Sequence, residues 1–264
     1  LLRVKDGKRA RIDERLDPRF SPALYGEGDH LLLAYSKAIE GVSRLFLRRI
    51  DRNLKTLGVI DLTPPSQSAS APSFVEGADR PLLLGVDARL GFSPVLLWDL
   101  ERETEPRVIR PISHLVEPAF LRGVLSGGAL HLLYAARGID LSHAIGWFRE
   151  GEGAPDPASV VPPLGFGLLR ADAAIVDEDR LLFVADRPLA REERAPRELI
   201  LRVLEDDALT EPLALRGRDG SAARPSIAKL GDGAYGLVYG TSGGVELAFI
   251  ECAEAKNVAA GAPP

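Results

Sequence analysis

Glu117, Asp172 and Arg224 are charged residues that each open a short apolar segment: Glu117-Pro118-Ala119-Phe120, Asp172-Ala173-Ala174-Ile175 and Arg224-Pro225-Ser226-Ile227. Two carboxyls brought face to face can serve as proton donor and as base or nucleophile, the set that cleavage of an acetal needs. An arginine set beside them would instead form a salt-bridged latch, because opposite charges a few ångströms apart favour each other's charged forms. The same opening occurs twice more without a charge, in Ser21-Pro22-Ala23-Leu24 and Ala71-Pro72-Ser73-Phe74. Which chemistry is available depends on what gathers these five positions.

Their spacing answers that. Pro22, Pro72, Pro118, Ala173 and Pro225 follow one another at 50, 46, 55 and 52 residues. A repeat near fifty residues built from β-type segments predicts propeller blades, one four-stranded antiparallel sheet per repeat. Each opening is followed by a nearly continuous apolar run: Leu31–Tyr35, Leu82–Val86, Leu130–Tyr134, Leu181–Val184 and Tyr235–Tyr239. Such runs suit strands covered on both faces, as stacked blades require. Third strands are predicted over Arg44–Ile50, Val95–Leu100, Ala144–Arg149, Glu198–Leu204 and Val245–Glu251. Weaker fourth strands are predicted over Thr56–Leu62, Arg107–Arg110, Ser159–Val161 and Leu209–Leu215, short and charged as edge strands are.

The expected fold is therefore an all-β, five-bladed β-propeller occupying residues 1–252, with blades starting near residues 21, 71, 117, 172 and 224. The fifth repeat lacks a fourth strand, whereas Arg9–Ile12 is a strand candidate with no inner strands before it. Residues 1–18 are accordingly expected to complete the last blade and close the ring, which removes an open sheet edge. A six-bladed ring lacking its first two strands is the competing account. Residues 253–264 are expected to be a flexible tail.

In this topology the residue entering each first strand and the loop between second and third strands share one face. The channel mouth would then carry Ser21, Ala71, Glu117, Asp172 and Arg224, with Ser36, Asp87, Arg137, Asp186 and Thr241 in a wider ring. Loops on a rigid scaffold are where binding residues concentrate. The expected binding set is Ser21, Asp87, Glu117, Arg137, Asp172, Asp186 and Arg224.

The run Ser21-Pro22-Ala23-Leu24, followed by Gly28-Asp29-His30-Leu31-Leu32-Leu33-Ala34-Tyr35-Ser36, resembles the blade opening of five-bladed glycoside hydrolases of the arabinanase and β-xylosidase type. The resemblance implies catalysis by carboxylates on the inner strands of successive early blades. Where that family has its base carboxylate this chain has Ser21, and the next blade offers Ala71. Only Glu117 and Asp172 are acidic at opening positions, on the third and fourth blades.

Other signatures are thinner. Trp98-Asp99 occurs once without the Gly-His of a WD repeat, and Gly127-Gly128 and Gly243-Gly244 are not repeated in every blade as in kelch proteins. The four histidines, His30, His114, His131 and His143, include no pair at metal-ligand spacing on one element. No cofactor is expected; an axial Ca²⁺ held by Glu117 and Asp172 is the one conceivable cation. The 33 basic and 38 acidic residues are interspersed, with a net charge of −5 and no basic stripe, which argues against a nucleic-acid partner. No apolar run reaches the ~18 residues a membrane span needs. Cys252 is the single cysteine and excludes an internal disulfide. The chain begins at Leu1 and has no Met, so an exported location, periplasmic or extracellular and with room for a lipid anchor, is favoured over the cytoplasm. With Ser, Ala, Glu, Asp and Arg at the mouth, the sequence favours a non-catalytic binding or scaffold propeller that recognises a protein or glycan. The alternative is a glycan hydrolase using Glu117 and Asp172.

Overall fold

A computed structural model of the chain describes residues 9, 16–17, 20–63, 67–87, 93–102, 105–112, 121–137, 143–150, 158–161, 170–178, 180–190, 195–205, 208–231 and 233–251. Every regular element among them is a strand, and the strands fall into five successive antiparallel groups. Blade one holds β1 (Ala23–Glu27), β2 (His30–Ile39), β3 (Val42–Asp51) and β4 (Thr56–Asp61). Blade two holds β5 (Ser70–Glu76), β6 (Leu82–Val86), β7 (Ser93–Asp99) and β8 (Arg107–Ile112). Blade three holds β9 (Leu121–Ser126), β10 (Ala129–Arg137), β11 (His143–Arg149) and β12 (Ala158–Val161). Blade four holds β13 (Ala171–Ile175), β14 (Leu181–Pro188) and β15 (Arg197–Glu205), then β16 (Ala208–Leu209) and β17 (Leu213–Leu215). Blade five holds β18 (Ala223–Gly231), β19 (Ala234–Thr241) and β20 (Gly244–Glu251).

Two-residue turns set the register of the β9–β10 and β2–β3 hairpins. Gly127 and Gly128 both have positive φ between the paired Ser126 and Ala129, as do Glu40 and Gly41 between Ile39 and Val42. Two consecutive positive-φ residues match the right-handed twist of the strands they join. The Gly127-Gly128 pair thus serves a hairpin rather than a kelch repeat.

The second strands of blades two to four are apolar on both faces because each of these blades packs against two others. Alternate residues of one strand enter different clusters: Leu83 joins Leu32, Leu45 and Trp98 between blades one and two, while Leu84 joins Leu121 and Leu132 between blades two and three. Leu133, Trp147, Phe183 and Leu181 fill the gap between blades three and four, and Leu182, Leu199, Tyr235 and Leu237 that between four and five. Leu32, Leu83, Leu132 and Leu182 are 4% exposed or less, as their sequence positions require. Val238 differs at 41% exposure. It faces away from blade four, alongside the exposed Val245, Leu247 and Phe249 of β20.

That exposed face shows where the ring expectation goes beyond what is seen. Among the described residues β20 pairs only with β19, and no buried cluster joins blade five to blade one. A closed five-bladed ring is therefore not shown, and the fourth strand expected of blade five from Arg9–Ile12 lies, Arg9 apart, outside the described residues, as does Cys252. The bridge given for the N-terminal stretch runs from Leu16 to Lys37 of β2, next to an Asp17 N–H that donates to the Ser36 carbonyl at 2.9 Å. The fourth strand expected over Leu209–Leu215 is split into β16 and β17, which pair separately with β15.

The first strands gather on the inner side. β5 and β9 pair in parallel, Val75 opposite Gly123 and Glu76 opposite Val124, which fuses blades two and three into one eight-stranded sheet. A Cβ on Gly123 would lie 2.3 Å from Cδ1 of the buried Leu84, so a side chain here would push that leucine out of its place in the core.

Candidate functional site at the confluence of the first strands

Residues of all five blades line one cavity of about 510 Å³. Residues 20–24 contribute from blade one, 71–74 from blade two, 121–122 from blade three, 170–172 from blade four and 224–226 from blade five. The volume falls within the range of small-molecule sites, ~300–1,000 Å³. The sequence rule that opening residues share one mouth therefore holds for Ser21, Ala71, Asp172 and Arg224.

Asp172 is 8% exposed and sits at the centre of a network spanning four blades. Oδ1 lies 2.7 Å from Nε of Arg122 and accepts the Ala173 N–H at 2.9 Å. Oδ2 accepts the Ile227 N–H at 3.0 Å and the Ser226 hydroxyl at 3.2 Å. Arg122 in turn donates from Nη2 to Oε2 of Glu76 at 2.7 Å. One guanidinium on β9 thereby joins a carboxylate at the end of β5 to one near the start of β13. Burial pushes the Glu76 carboxyl above its usual range; Arg122 pulls it back, and Asp172 adds to the rise.

A second carboxylate organises the arginine side of the cavity. Asp186, 1% exposed on β14, accepts the backbone N–H groups of Arg170 and Arg224, each at 2.8 Å, and a guanidinium N–H of Arg197 at 2.8 Å. Both of its oxygens are thus engaged in fixing the openings of blades four and five. Arg224 has φ 54°, and Ala71 at the matching place in blade two has φ 51°. Each precedes a proline and lies in a register shift of its strand, between Ser70 and Ser73 and between Ala223 and Ser226. A non-glycine residue in this region is strained, and strain of this kind gathers where a site needs a particular backbone.

The expected site residues separate into groups. Ser21, Asp172 and Arg224 line the cavity. Asp186 is the internal hub just described, and Asp87 is 3% exposed, so neither is open to a ligand. Arg137 ends β10, with its side chain outside the described set, and Glu117 and His114 lie outside the described residues. The partner expected for Asp172 was Arg224, but Arg122 fills that place, and Arg224 is tied to Asp186 through its backbone instead. Glu76, Arg122 and Arg170 were not singled out. Arg170 lies two residues before Asp172, so charge beside an opening was the signal that could have found it, whereas Arg122 lies five residues beyond Glu117. Glu76 ends β5 five residues beyond Ala71, and only the parallel β5–β9 pairing reveals it. No group of three or more His, Cys, Asp or Glu side chains that could hold a metal is present among the described residues. The arginine at Asp172 makes that carboxylate a poor seat for the Ca²⁺ considered above. No helix among the described residues is long and apolar enough to cross a membrane.

No protein-family model matches the chain, and no curated protein matches it. Solved structures do. The catalytic domain of a GH62 alpha-L-arabinofuranosidase from Coprinopsis cinerea aligns with a TM-score of 0.51 at 11% identity, covering 88% of this chain and 90% of that one. An endo-arabinase from Bacteroides thetaiotaomicron gives 0.50 at 13% identity over 92% and 96% of the two chains. A thermostable family-43 glycoside hydrolase gives 0.51 at 11% identity over 93% and 95%. The fold is thus similar to that of arabinanase-type propeller hydrolases over nearly the whole of both chains.

Proposed function

We propose that the protein is a glycan-active propeller that takes a sugar into the channel-mouth cavity and hydrolyses its glycosidic bond there. The observation that carries this reading is the placement of Asp172 in the wall of the 510 Å³ cavity on which all five first strands converge. The likeness in fold to glycoside hydrolases supports it, and fold alone would not. Asp172 supplies one carboxyl and Glu117, at the opening of blade three, the other. One protonates the leaving oxygen while the other attacks the anomeric carbon or activates water against it. Glu76 has the raised proton affinity of an acid catalyst, but it is not among the cavity-lining residues and is bound to Arg122. Its part is to position that arginine.

A second reading, glycan binding without cleavage, is favoured by one feature: both oxygens of Asp172 already have protein partners. Purified protein should be assayed against aryl α-L-arabinofuranosides, aryl β-D-xylosides and arabino-oligosaccharides, with binding to the oligosaccharides measured in parallel. Turnover that vanishes in both Asp172→Asn and Glu117→Gln establishes the hydrolase. Binding with no turnover selects the second reading, and neither binding nor turnover across a broad glycan panel rejects both.

A further inference from the structure

The geometry points to a second site, outside the channel-mouth cavity: Arg187 and Arg216, both held on the buried Glu198, bind a tetrahedral oxyanion, a phosphate or sulfate group.

Strand register brings the three residues together. Arg187 lies opposite Glu198 between β14 and β15, and Leu215 of β17 lies opposite Leu199, so Arg216 reaches the Glu198 row. Leu199 belongs to the core between blades four and five, which puts the Glu198 row on the other face of blade four. None of the three lines the cavity. The Glu198 side chain is 3% exposed. Its Oε1 accepts from Nε and Nη2 of Arg187 at 2.8 and 2.7 Å, and its Oε2 accepts from Nε of Arg216 at 3.0 Å. Burial would raise this carboxyl, but the bonds from Arg187 and Arg216 more than reverse that, and it stays ionised.

Two guanidinium groups thus share one carboxylate, which leaves one positive charge uncompensated. Asp99 also meets two arginines, Arg80 and Arg102, but there Asp79 beside Arg80 restores the balance. At Glu198 the next charges along the chain, Arg218 and Asp219, cancel each other. The donors not spent on Glu198 are Nη1 of Arg187 and both Nη groups of Arg216, whose side chain is 59% exposed. Tethering to one carboxylate fixes both guanidinium groups before a ligand arrives, so little side-chain entropy is lost on binding. The backbone after Arg216 is fixed as well. A Cβ on Gly217 would lie 2.3 Å from the Ser221 carbonyl oxygen, and the Gly220 N–H donates to the Gly217 carbonyl at 2.9 Å. A tetrahedral oxyanion has oxygens for two guanidinium groups at once, whereas a planar carboxylate is satisfied by the fork of one.

The test titrates inorganic phosphate and inorganic sulfate into the full chain by calorimetry at constant ionic strength, with acetate as a planar anion. Phosphate or sulfate should bind at one site, about tenfold or more tighter than acetate. In Arg216→Gln the affinity should fall about tenfold to a hundredfold, the effect of losing charge-assisted hydrogen bonds, and in Arg216→Lys by less. Arg187 still compensates Glu198 in both variants, and an unchanged circular-dichroism spectrum verifies their fold. Galactose-6-sulfate and glucose-6-phosphate, each measured against its free ion, separate the sources of the group. An ester that binds more tightly than its ion identifies a substituted sugar as the ligand, and equal or weaker binding identifies the ion itself. No binding of phosphate or sulfate, acetate binding as tightly as either, or full binding retained in a folded Arg216→Gln overturns the inference.

Discussion

Replacing Arg122 by Met removes a cation that joins blades two, three and four while keeping most of the apolar stem. Breaking a fully buried ion pair by removing one partner costs about 3–5 kcal/mol. Here the Arg122 side chain is 26% exposed and Asp172 keeps its bonds from Ser226 and Ile227, which reduces the expected loss to about 2 kcal/mol at neutral pH. For a domain of this size that lowers the melting temperature by roughly 4–8 °C. The pH dependence identifies the cause. Glu76 already lies above its ordinary value of 4.5, so the folded chain retains this proton where the unfolded chain has lost it, and stability falls as pH rises through that window. Loss of Arg122 removes the leading influence that pulls Glu76 down, which extends the window upward. The deficit of Arg122→Met should therefore be largest at neutral pH and shrink as pH approaches 4.5. Urea denaturation of both proteins across that range measures it, and adding Glu76→Gln to Arg122→Met should restore part of the loss at neutral pH. A deficit of equal size at both ends of the range, with no recovery in the double variant, would refute the latch and assign the effect to lost packing.

Leu132→Ala should cost about 2–5 kcal/mol by urea denaturation, because Leu132 is fully buried between blades two and three; a loss under half a kcal/mol would contradict that placement. Asp186→Asn should cost about 2–4 kcal/mol and weaken ligand binding at the cavity, since its carboxylate holds the openings of two blades and an Arg197 pair; wild-type stability with intact binding would deny it that role. Phe249→Ser should change stability by less than about 0.5 kcal/mol, because Phe249 is 71% exposed; a large loss would mean that this face is covered in solution.

Blade order and inner strands were legible because they rest on short-range physics. A run such as Leu181-Leu182-Phe183-Val184 must be covered on both sides, and the Gly127-Gly128 pair supplies the two positive-φ residues that a tight hairpin needs. Burial of the outer blade was not legible. Val238 carries the same apolar signature as Leu132, yet whether it is covered depends on a neighbouring blade, which no local pattern encodes. At the site, sequence spacing correctly placed Ser21, Asp172 and Arg224 around one mouth. It failed on partners, because a side chain as long as arginine reaches past the nearest strand. Arg122 bridges to residues 46 positions before it and 50 after it, a choice decided by the parallel contact of β5 with β9. Asp186 looked like a rim residue by topology, but burial turns such a carboxylate inward, where backbone N–H groups and Arg197 compensate its lost hydration.

The cavity is also asymmetric, and this bears on how a ligand would lie in it. Blades one and two contribute Phe20, Ser21, Pro22, Pro72 and Phe74, with no charged side chain in the described lining, whereas blades three to five contribute all three arginines and Asp172. The division follows from the openings. On the uncharged side Ala71 takes the strained pre-proline position with a side chain too short to bond, and on the charged side Arg224 takes the matching position with a guanidinium. A glycan spanning the cavity would therefore meet the aromatic faces of Phe20 and Phe74 on one side and Asp172 with its neighbouring arginines on the other.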